Sequence, residues 1–468
     1  MLDPRKIIII QYDQYQSSSF NAKKKENSMQ IRRSILVSAF LSLALVVPLF
    51  ASGSGEQGAA AQKMQGKLTI WSTLTQESRA KQLEQLGKDY EKANPGVSVE
   101  ITVMPWTGAF DKMVASIMAG NPPDLATVGQ GWPQSLAGTG GIATLDDVIQ
   151  KIGGPSIFLG TSLSVLGSLD GKAYSVPVYV TPHLILYHKS WLQEAGLQPP
   201  KTWEEFYAAA KAVTDPAKNR YGFAIPFSDI HGGKPIWGFL LSNGVTILDK
   251  DAQGKWQLNV NQPASVETYQ YLYKLLKDTA PAGVVSYNTT DINEYVAKGV
   301  VWSRYETPEL LLNVRDRSPE MLKDIGYIPL PAKKRLGASQ GWVGLVAFEK
   351  GHLEMSKNFI QYMFQGDRLV DFYLSYPYAM FPAVASLYNN QKYSDGLPAE
   401  LKPIVPMAPD ILKSSAGIAM WNGSNAWSGE IEAKRILPNA LSDMLVKGIS
   451  AQAAVDEVNT QIKALMGP

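Results

Sequence analysis

From Gly66 onward the chain alternates between stretches with the two-residue period of a strand and stretches with the 3.6-residue period of a helix. This alternation excludes all-α and all-β architectures. Lys67-Leu68-Thr69-Ile70-Trp71 is a short β-rich run. Leu83, Leu86 and Tyr90 then fall three and four apart, on one face of a helix that Asn94-Pro95-Gly96 stops. Val97-Ser98-Val99-Glu100-Ile101-Thr102-Val103 alternates as a second strand. Phe110, Met113, Val114, Ile117 and Met118 line a second helix, ended by Gly120-Asn121-Pro122-Pro123, and Asp124-Leu125-Ala126-Thr127-Val128 opens a third strand. A βαβαβ start predicts an α/β fold with an open, mostly parallel sheet, whose ligands bind beyond the carboxyl ends of the strands.

At 468 residues the chain is too long for one ordinary domain, and two lobes are expected. Further along, Thr202 is placed to cap a helix with Trp203, Phe206, Ala210 and Val213 on its inner face, and Glu204-Glu205 complement its dipole. Val266, Tyr269, Leu272, Tyr273 and Leu276 form another apolar stripe. Towards the end a long helical stretch is expected to bend at Pro438, and a last helix to start at Ser450 and bury Val455, Val458, Ile462 and Leu465. Net charge is +2, with no basic stripe carrying interleaved aromatics, so no nucleic-acid partner is expected. Cysteine is absent, which removes disulfides, thiolate zinc sites and a cysteine nucleophile.

The front end reads as an address. Met29-Gln30-Ile31-Arg32-Arg33 is basic, Ile35 to Phe50 is apolar and broken by Pro48, and Ala51-Ser52-Gly53 offers small residues for cleavage. Residues 29–52 are therefore expected to be a secretory signal peptide, and residues 1–28 an over-extended start. Residues 53–65, rich in Gly, Ala and Gln, form a flexible leader in this reading. Residues 1–52 hold seven of the basic and three of the acidic residues, so their removal leaves a nearly neutral protein. Without a cysteine after the apolar run there is no site for lipid attachment, and a periplasmic, unanchored protein is expected.

Several segments resemble the bacterial extracellular solute-binding proteins of ABC importers, in the maltose-binding-protein-like, sugar-binding branch. Tyr90-Glu91-Lys92-Ala93-Asn94-Pro95-Gly96-Val97 looks like that family's first helix exit, and Ala119-Gly120-Asn121-Pro122-Pro123-Asp124-Leu125 like its turn before the third strand. Gly171-Lys172-Ala173-Tyr174-Ser175-Val176-Pro177 runs on to Leu186-Tyr187-His188-Lys189 and to Pro199-Pro200-Lys201-Thr202-Trp203-Glu204-Glu205-Phe206 in the family's order. Gly326-Tyr327-Ile328-Pro329-Leu330-Pro331 and Gly341-Trp342-Val343-Gly344-Leu345 look like its later strands. The family has Asn where this chain has His188. The resemblance implies a two-lobed periplasmic-binding-protein fold of type II, with a ligand cleft between lobes that close on a hinge. One lobe would take residues 66–178 and 343–382, the other 182–340 and 385–468. It also implies a monomer that binds a mono- or oligosaccharide and hands it to the membrane subunits of a permease. A polyol, sugar acid or glycerol phosphate is the alternative ligand.

A sugar offers an apolar C–H face and a rim of hydroxyls, which suit an aromatic plate and polar side chains. Ser72 and Thr73 follow the first strand, where they can bind ligand hydroxyls or simply cap a helix. Gln130 and Trp132 follow the third strand between glycines and suit a cleft plate with a polar partner. By the resemblance, Tyr179 and Thr181 lie where the chain crosses between lobes. The matching stretch of the branch carries a ligand-contacting carboxylate, and Val178-Tyr179-Val180-Thr181-Pro182 has none, so the contacts differ. Trp237 lies in a segment suited either to a covering loop or to a buried helix-start anchor. Arg304 can fork onto a ligand or pair with Glu306. Trp342 resembles a cleft residue of the family, and Trp421 offers a further plate in the second lobe.

No catalytic constellation stands out, and neither a cofactor nor a metal is expected. His183, His188, His231 and His352 are scattered, and there is no HExxH, GxSxG or phosphate-loop motif. Asp146-Asp147 and Glu204-Glu205 are the carboxylate pairs that an exported carbohydrate-active enzyme, the rival reading, would need. Both pairs also sit where helices should start, and acids belong there anyway.

Overall fold

The computed structural model describes residues 64–467 apart from Gln130, residues 164–167 and Asp170. The expected signal peptide, the residues before it and almost all of the leader lie outside the described residues. The opening pattern folds as its periodicities demand. β1 (Gly66–Ser72) leads to α1 (Glu77–Ala93), β2 (Val97–Val103), α2 (Ala109–Met118), β3 (Leu125–Val128) and a short α3 (Trp132–Gly138). β1 pairs in parallel with β2 on one side and β3 on the other. Leu68 and Ile70 of β1 and Leu83, Leu86 and Tyr90 of α1 are buried against each other's layer. Each such side chain contributes about 1.5–3 kcal/mol on leaving water.

Two longer strands complete this sheet. β4 (Val176–Pro182) is buried at every position, and it runs antiparallel to another strand introduced below at Ala338–Ala347. After β4 the chain passes through His183 into β5 (Leu184–His188), which belongs to a second sheet. α4 (Trp203–Val213), β6 (Tyr221–Phe223), α5 (Gly233–Ser242), α6 (Pro263–Thr279), α7 (Thr289–Ala297), β7 (Val301–Glu306), α8 (Leu310–Arg317) and β8 (Ile325–Ile328) follow. The second sheet has the order β8-β5-β7-β6. The chain then returns through β9 (Ala338–Ala347), leaves the first sheet again after β10 (Phe381–Pro382), and adds β11 (Ser415–Ala416) beside the start of β9. The first sheet thus reads β10-β4-β9-β3-β1-β2, with β11 attached to β9. The two sheets with their helices make up a two-lobed fold, and residues 340–343 lie inside the single strand β9.

Helix ends follow local chemistry. Thr202 accepts from the Glu205 amide while Glu205 reaches back to the cap, a capping box that satisfies two otherwise orphaned donors. The expected bend at Pro438 is instead a break. One helix ends at Ala433, Arg435 takes a left-handed conformation with φ of 52°, and α9 (Ile436–Lys447) starts afresh. Pro438 then occupies the first turn, where a missing N–H removes no helical bond. α10 (Ala451–Met466) begins after Ser450, whose side chain accepts from the Ala453 amide, and it buries Val455, Val458 and Ile462.

Candidate functional site: the cleft between the sheets

The carboxyl ends of β1 and β3 are locked together before any ligand is considered. Thr73 donates its amide to Thr127 Oγ1 at 2.7 Å, and the two hydroxyls lie 2.9 Å apart. Ser72 Oγ accepts from the Leu74 amide at 3.2 Å. Both Ser72 and Thr73 are fully buried, so their hydroxyls tie the strand ends down. One turn on, Arg79 is buried in the first turn of α1. Its Nη1 donates to Tyr179 Oη at 3.0 Å, its guanidinium lies 4.5 Å from the Tyr376 ring, and its Nε has no partner among the described residues. Burial pushes the Tyr179 hydroxyl up to about 12 despite the Arg79 charge.

The loops after β2 and β3 bring two partly exposed indoles together. Gly131 caps α3 with φ of 80°, a left-handed conformation that only glycine takes without strain. A Cβ on Gly129 would come within 3.0 Å of the Trp106 ring. The two glycines therefore let Trp132 close onto Trp106 edge-to-face at 5.3 Å, with Phe110 at 5.5 Å. Trp132 is half-buried and Trp106 is 38% exposed, so rings hold rings while part of each faces out. Gln134 Nε2 donates to Ser424 Oγ at 2.6 Å, joining α3 to a segment that follows β11. Gln130 lies outside the described residues.

At the crossing strands, Thr181 stands opposite Gly341 and donates its hydroxyl to the Ala379 carbonyl at 2.6 Å. Trp342 stands opposite Val180, is 5% exposed, and its enclosed Nε1 has no acceptor among the described residues. His183 sits between the two sheets with its ring 5.7 Å from that of Tyr305 and its Nδ1 likewise unpartnered. Burial, then the charge of Lys234, holds His183 down to about 3, so the ring is neutral.

The second lobe contributes charge. Arg304 is 1% exposed, donates from Nη1 to the Thr289 carbonyl at 2.7 Å, and pairs through Nη2 with Glu306 at 2.5 Å. Burial alone would raise Glu306, yet the Arg304 charge, the Thr307 amide and Lys234 bring it down to about 2. Glu309, just before α8, faces Arg79 and Tyr376 of the first lobe, and burial outweighs them to push its carboxyl up. Trp237 is in α5 rather than in a covering loop. It is fully buried and its Nε1 donates to the Ala416 carbonyl at 2.9 Å, which makes it a packing anchor. Trp421 is half-buried, with the Arg335 guanidinium 4.3 Å from its ring.

The structure thus groups Arg79, Tyr179, His183, Arg304, Glu306 and Glu309 along the floor, and Trp106 and Trp132 with residues 420–424 at the side. The sequence shows Glu306 only as a partner for Arg304 and His183 only as one of four scattered histidines, and it does not single out Arg79, Glu309 or Trp106. Trp106 follows the end of β2, so the rule that picked Trp132, a ring in a loop after a strand, reaches it too. The acidic pairs of the rival reading are committed elsewhere. Asp146 accepts from the Ala173 amide, Glu204 binds Lys333 Nζ at 2.7 Å, and Glu205 completes the capping box. Among the described residues no group of three His, Asp or Glu side chains is placed to hold a metal.

Comparison with known proteins agrees with this architecture. The model of the bacterial extracellular solute-binding protein family matches residues 75–348, more than half of the chain. The chain is 29% identical over 314 residues to the diacetylchitobiose binding protein DasA of Streptomyces coelicolor, covering 63% of this chain and 68% of that one. Its fold is similar to the cyclic α-maltosyl-1,6-maltose binding protein of Arthrobacter globiformis, with a TM-score of 0.70 at 19% identity over 86% of this chain and 99% of that one. It is also similar to an ABC transporter solute-binding protein of Agrobacterium radiobacter in complex with ribitol, with a TM-score of 0.65 at 21% identity, covering 86% of this chain and all of that one. Two sheets joined by crossing strands, a polar floor between them and a match across both lobes lead to one conclusion: the chain belongs to the bacterial extracellular solute-binding protein family.

Proposed function

We propose that this protein captures a neutral carbohydrate, a mono- or oligosaccharide, between its two lobes and delivers it as a monomer to the permease of an ABC importer in the periplasmic space. The observation that carries the reading is the pairing of half-exposed rings, Trp106 and Trp132, with buried polar atoms that lack partners among the described residues: Arg79 Nε, His183 Nδ1 and Trp342 Nε1. Rings suit the C–H face of a sugar, and enclosed unpaired donors and acceptors suit its hydroxyls, because leaving them unpaired is unfavourable. The charges favour a neutral ligand over a sugar acid or glycerol phosphate, since Arg304 is matched by Glu306 and Arg79 faces Glu309. The names of relatives point the same way, towards an oligosaccharide or a polyol. Because ligand would touch both lobes only when they close, it would stabilise the closed state. In this reading the site carries out no chemistry, and the engaged acidic pairs support that.

The test is thermal unfolding of the purified protein against sugars, polyols, sugar acids and glycerol phosphate, with product analysis for hydrolysis. A ligand at about 100 times its Kd adds roughly 2.7 kcal/mol to stability. A shift confined to neutral sugars with no product formed is expected. A shift only with anions, or release of hydrolysis products, would overturn the reading.

A further inference from the structure

Residues 417–425 are the part of the second lobe that meets the loop carrying Trp132. Ser424 takes the Gln134 hydrogen bond, and the Met420 methyl lies 3.8 Å from where a Cβ on Gly131 would be. The backbone of this segment is held in shape from behind. Ala419 adopts a left-handed φ of 58°, and its carbonyl accepts from Asn425 Nδ2 at 2.9 Å. Asn425 Oδ1 in turn accepts from the Trp427 and Ser428 amides and the Ser428 hydroxyl. Asn422 donates to Asp249, which also accepts from Thr246 Oγ1 at 2.8 Å and Asn259 Nδ2 at 2.6 Å.

With the backbone fixed, the plane of the Trp421 indole is the remaining freedom. One side chain removes it. Arg335 is itself anchored at the carboxyl end of α5: its amide donates to the Ser242 carbonyl at 3.1 Å and its carbonyl accepts from Ser242 Oγ at 3.1 Å. Its Nε donates to the Leu241 carbonyl at 2.9 Å, which also accepts from the Gly244 amide at 3.0 Å, at a helix end whose dipole favours a cation. The guanidinium carbon then lies 4.3 Å from the indole centroid, and Nη2 is enclosed with no hydrogen-bond partner among the described residues. The ring face is the contact that compensates it.

We propose that Arg335 is a positioning residue for ligand binding: it covers one face of Trp421 and holds the indole as a one-sided platform on the second-lobe wall of the cleft. This rests on the reading of the cleft as a carbohydrate site. A ring held in its bound orientation loses less freedom when ligand arrives, so Arg335 raises affinity without touching ligand. Lysine cannot replace it fully, because an ammonium cannot bind the Leu241 carbonyl and lie flat on the ring together.

The test uses Arg335→Ala and Arg335→Lys, each with Trp421 intact and with Trp421→Phe. The first readout needs no ligand: acrylamide quenching of the emission that Trp421→Phe removes. It rises in Arg335→Ala, with Arg335→Lys between. The second is affinity for the carbohydrate giving the largest thermal shift. Arg335→Ala weakens it about 3- to 10-fold, and the loss shrinks in the Trp421→Phe background. Unchanged quenching, or an equal loss of affinity in both backgrounds, overturns the proposal. If Arg335→Ala does not fold, Arg335→Lys answers by the same two readouts. If no carbohydrate binds the unaltered protein, the functional reading fails while the quenching result still decides the role of Arg335.

Discussion

The two walls of the cleft solve the same problem with different materials. On the first-lobe wall, Trp132, Trp106 and Phe110 hold one another edge-on and remain partly open to water. On the second-lobe side, Arg304 and Glu306 hold one another in near-complete enclosure, with His183 kept neutral beside them. Rings can be left half-covered because water around an apolar edge is a modest penalty. A buried charge cannot be left without its partner, because removing one member strands the other in a medium that solvates it poorly. The ring cluster can therefore shift at modest cost, whereas the Arg304–Glu306 pair is committed to structure.

The largest expected effect tests that commitment. Arg304→Ala strands Glu306 and is expected to destabilise the protein by about 3–5 kcal/mol in urea unfolding. Combining Arg304→Met with Glu306→Gln should recover much of that loss. A small loss in the single variant would mean that the pair is as adaptable as the rings.

Acid titration sharpens the same side. His183 falls from an unfolded value of 6.5 to about 3, and Glu306 from 4.5 to about 2. Both folded values are depressed, so the stability they confer is complete above about pH 6.5 and is lost as pH falls. The window runs from 6.5 to 3 for His183 and from 4.5 to 2 for Glu306. Between pH 6.5 and 4.5 the His183 slope approaches about 1.4 kcal/mol per pH unit. His183→Gln should flatten denaturation midpoints there, leaving the part due to His231, which burial also lowers.

The ring wall should respond in the opposite currency, affinity rather than stability. Trp132→Ala is expected to weaken carbohydrate binding about 10- to 30-fold in calorimetry, while unfolding changes by about 1 kcal/mol or less. A smaller loss is expected for Trp106→Ala, which acts through the ring it supports. The smallest effect is a control away from both walls. Thr202→Ala removes the capping box and should lower stability by about 1 kcal/mol with affinity unchanged.

Legibility in the sequence followed the range of the interactions. The opening βαβαβ run, the Thr202 cap and the Ser450 start depend on neighbours within a few positions, and their periods and caps stand in the sequence. Pro438 misled because a proline in a helical run reads as a bend, whereas Arg435 three positions earlier had already ended the helix. Among the rings, Trp132 and Trp237 look alike in sequence. Only packing separates the half-open ring beside Trp106 from the enclosed one bonded to Ala416.

The sequence by itself determined the class of the fold, the order of its elements and the places where loops follow strands. It did so because hydrophobic period and turn chemistry are local. Tertiary structure alone decided that Arg304 answers to Glu306, that Arg79 reaches Tyr179 one hundred positions away, and that Arg335 lies under Trp421. Those contacts exist only once two sheets and three crossings bring distant residues together. Whether a polar atom meets a partner or faces the cleft unpaired is set by that closure.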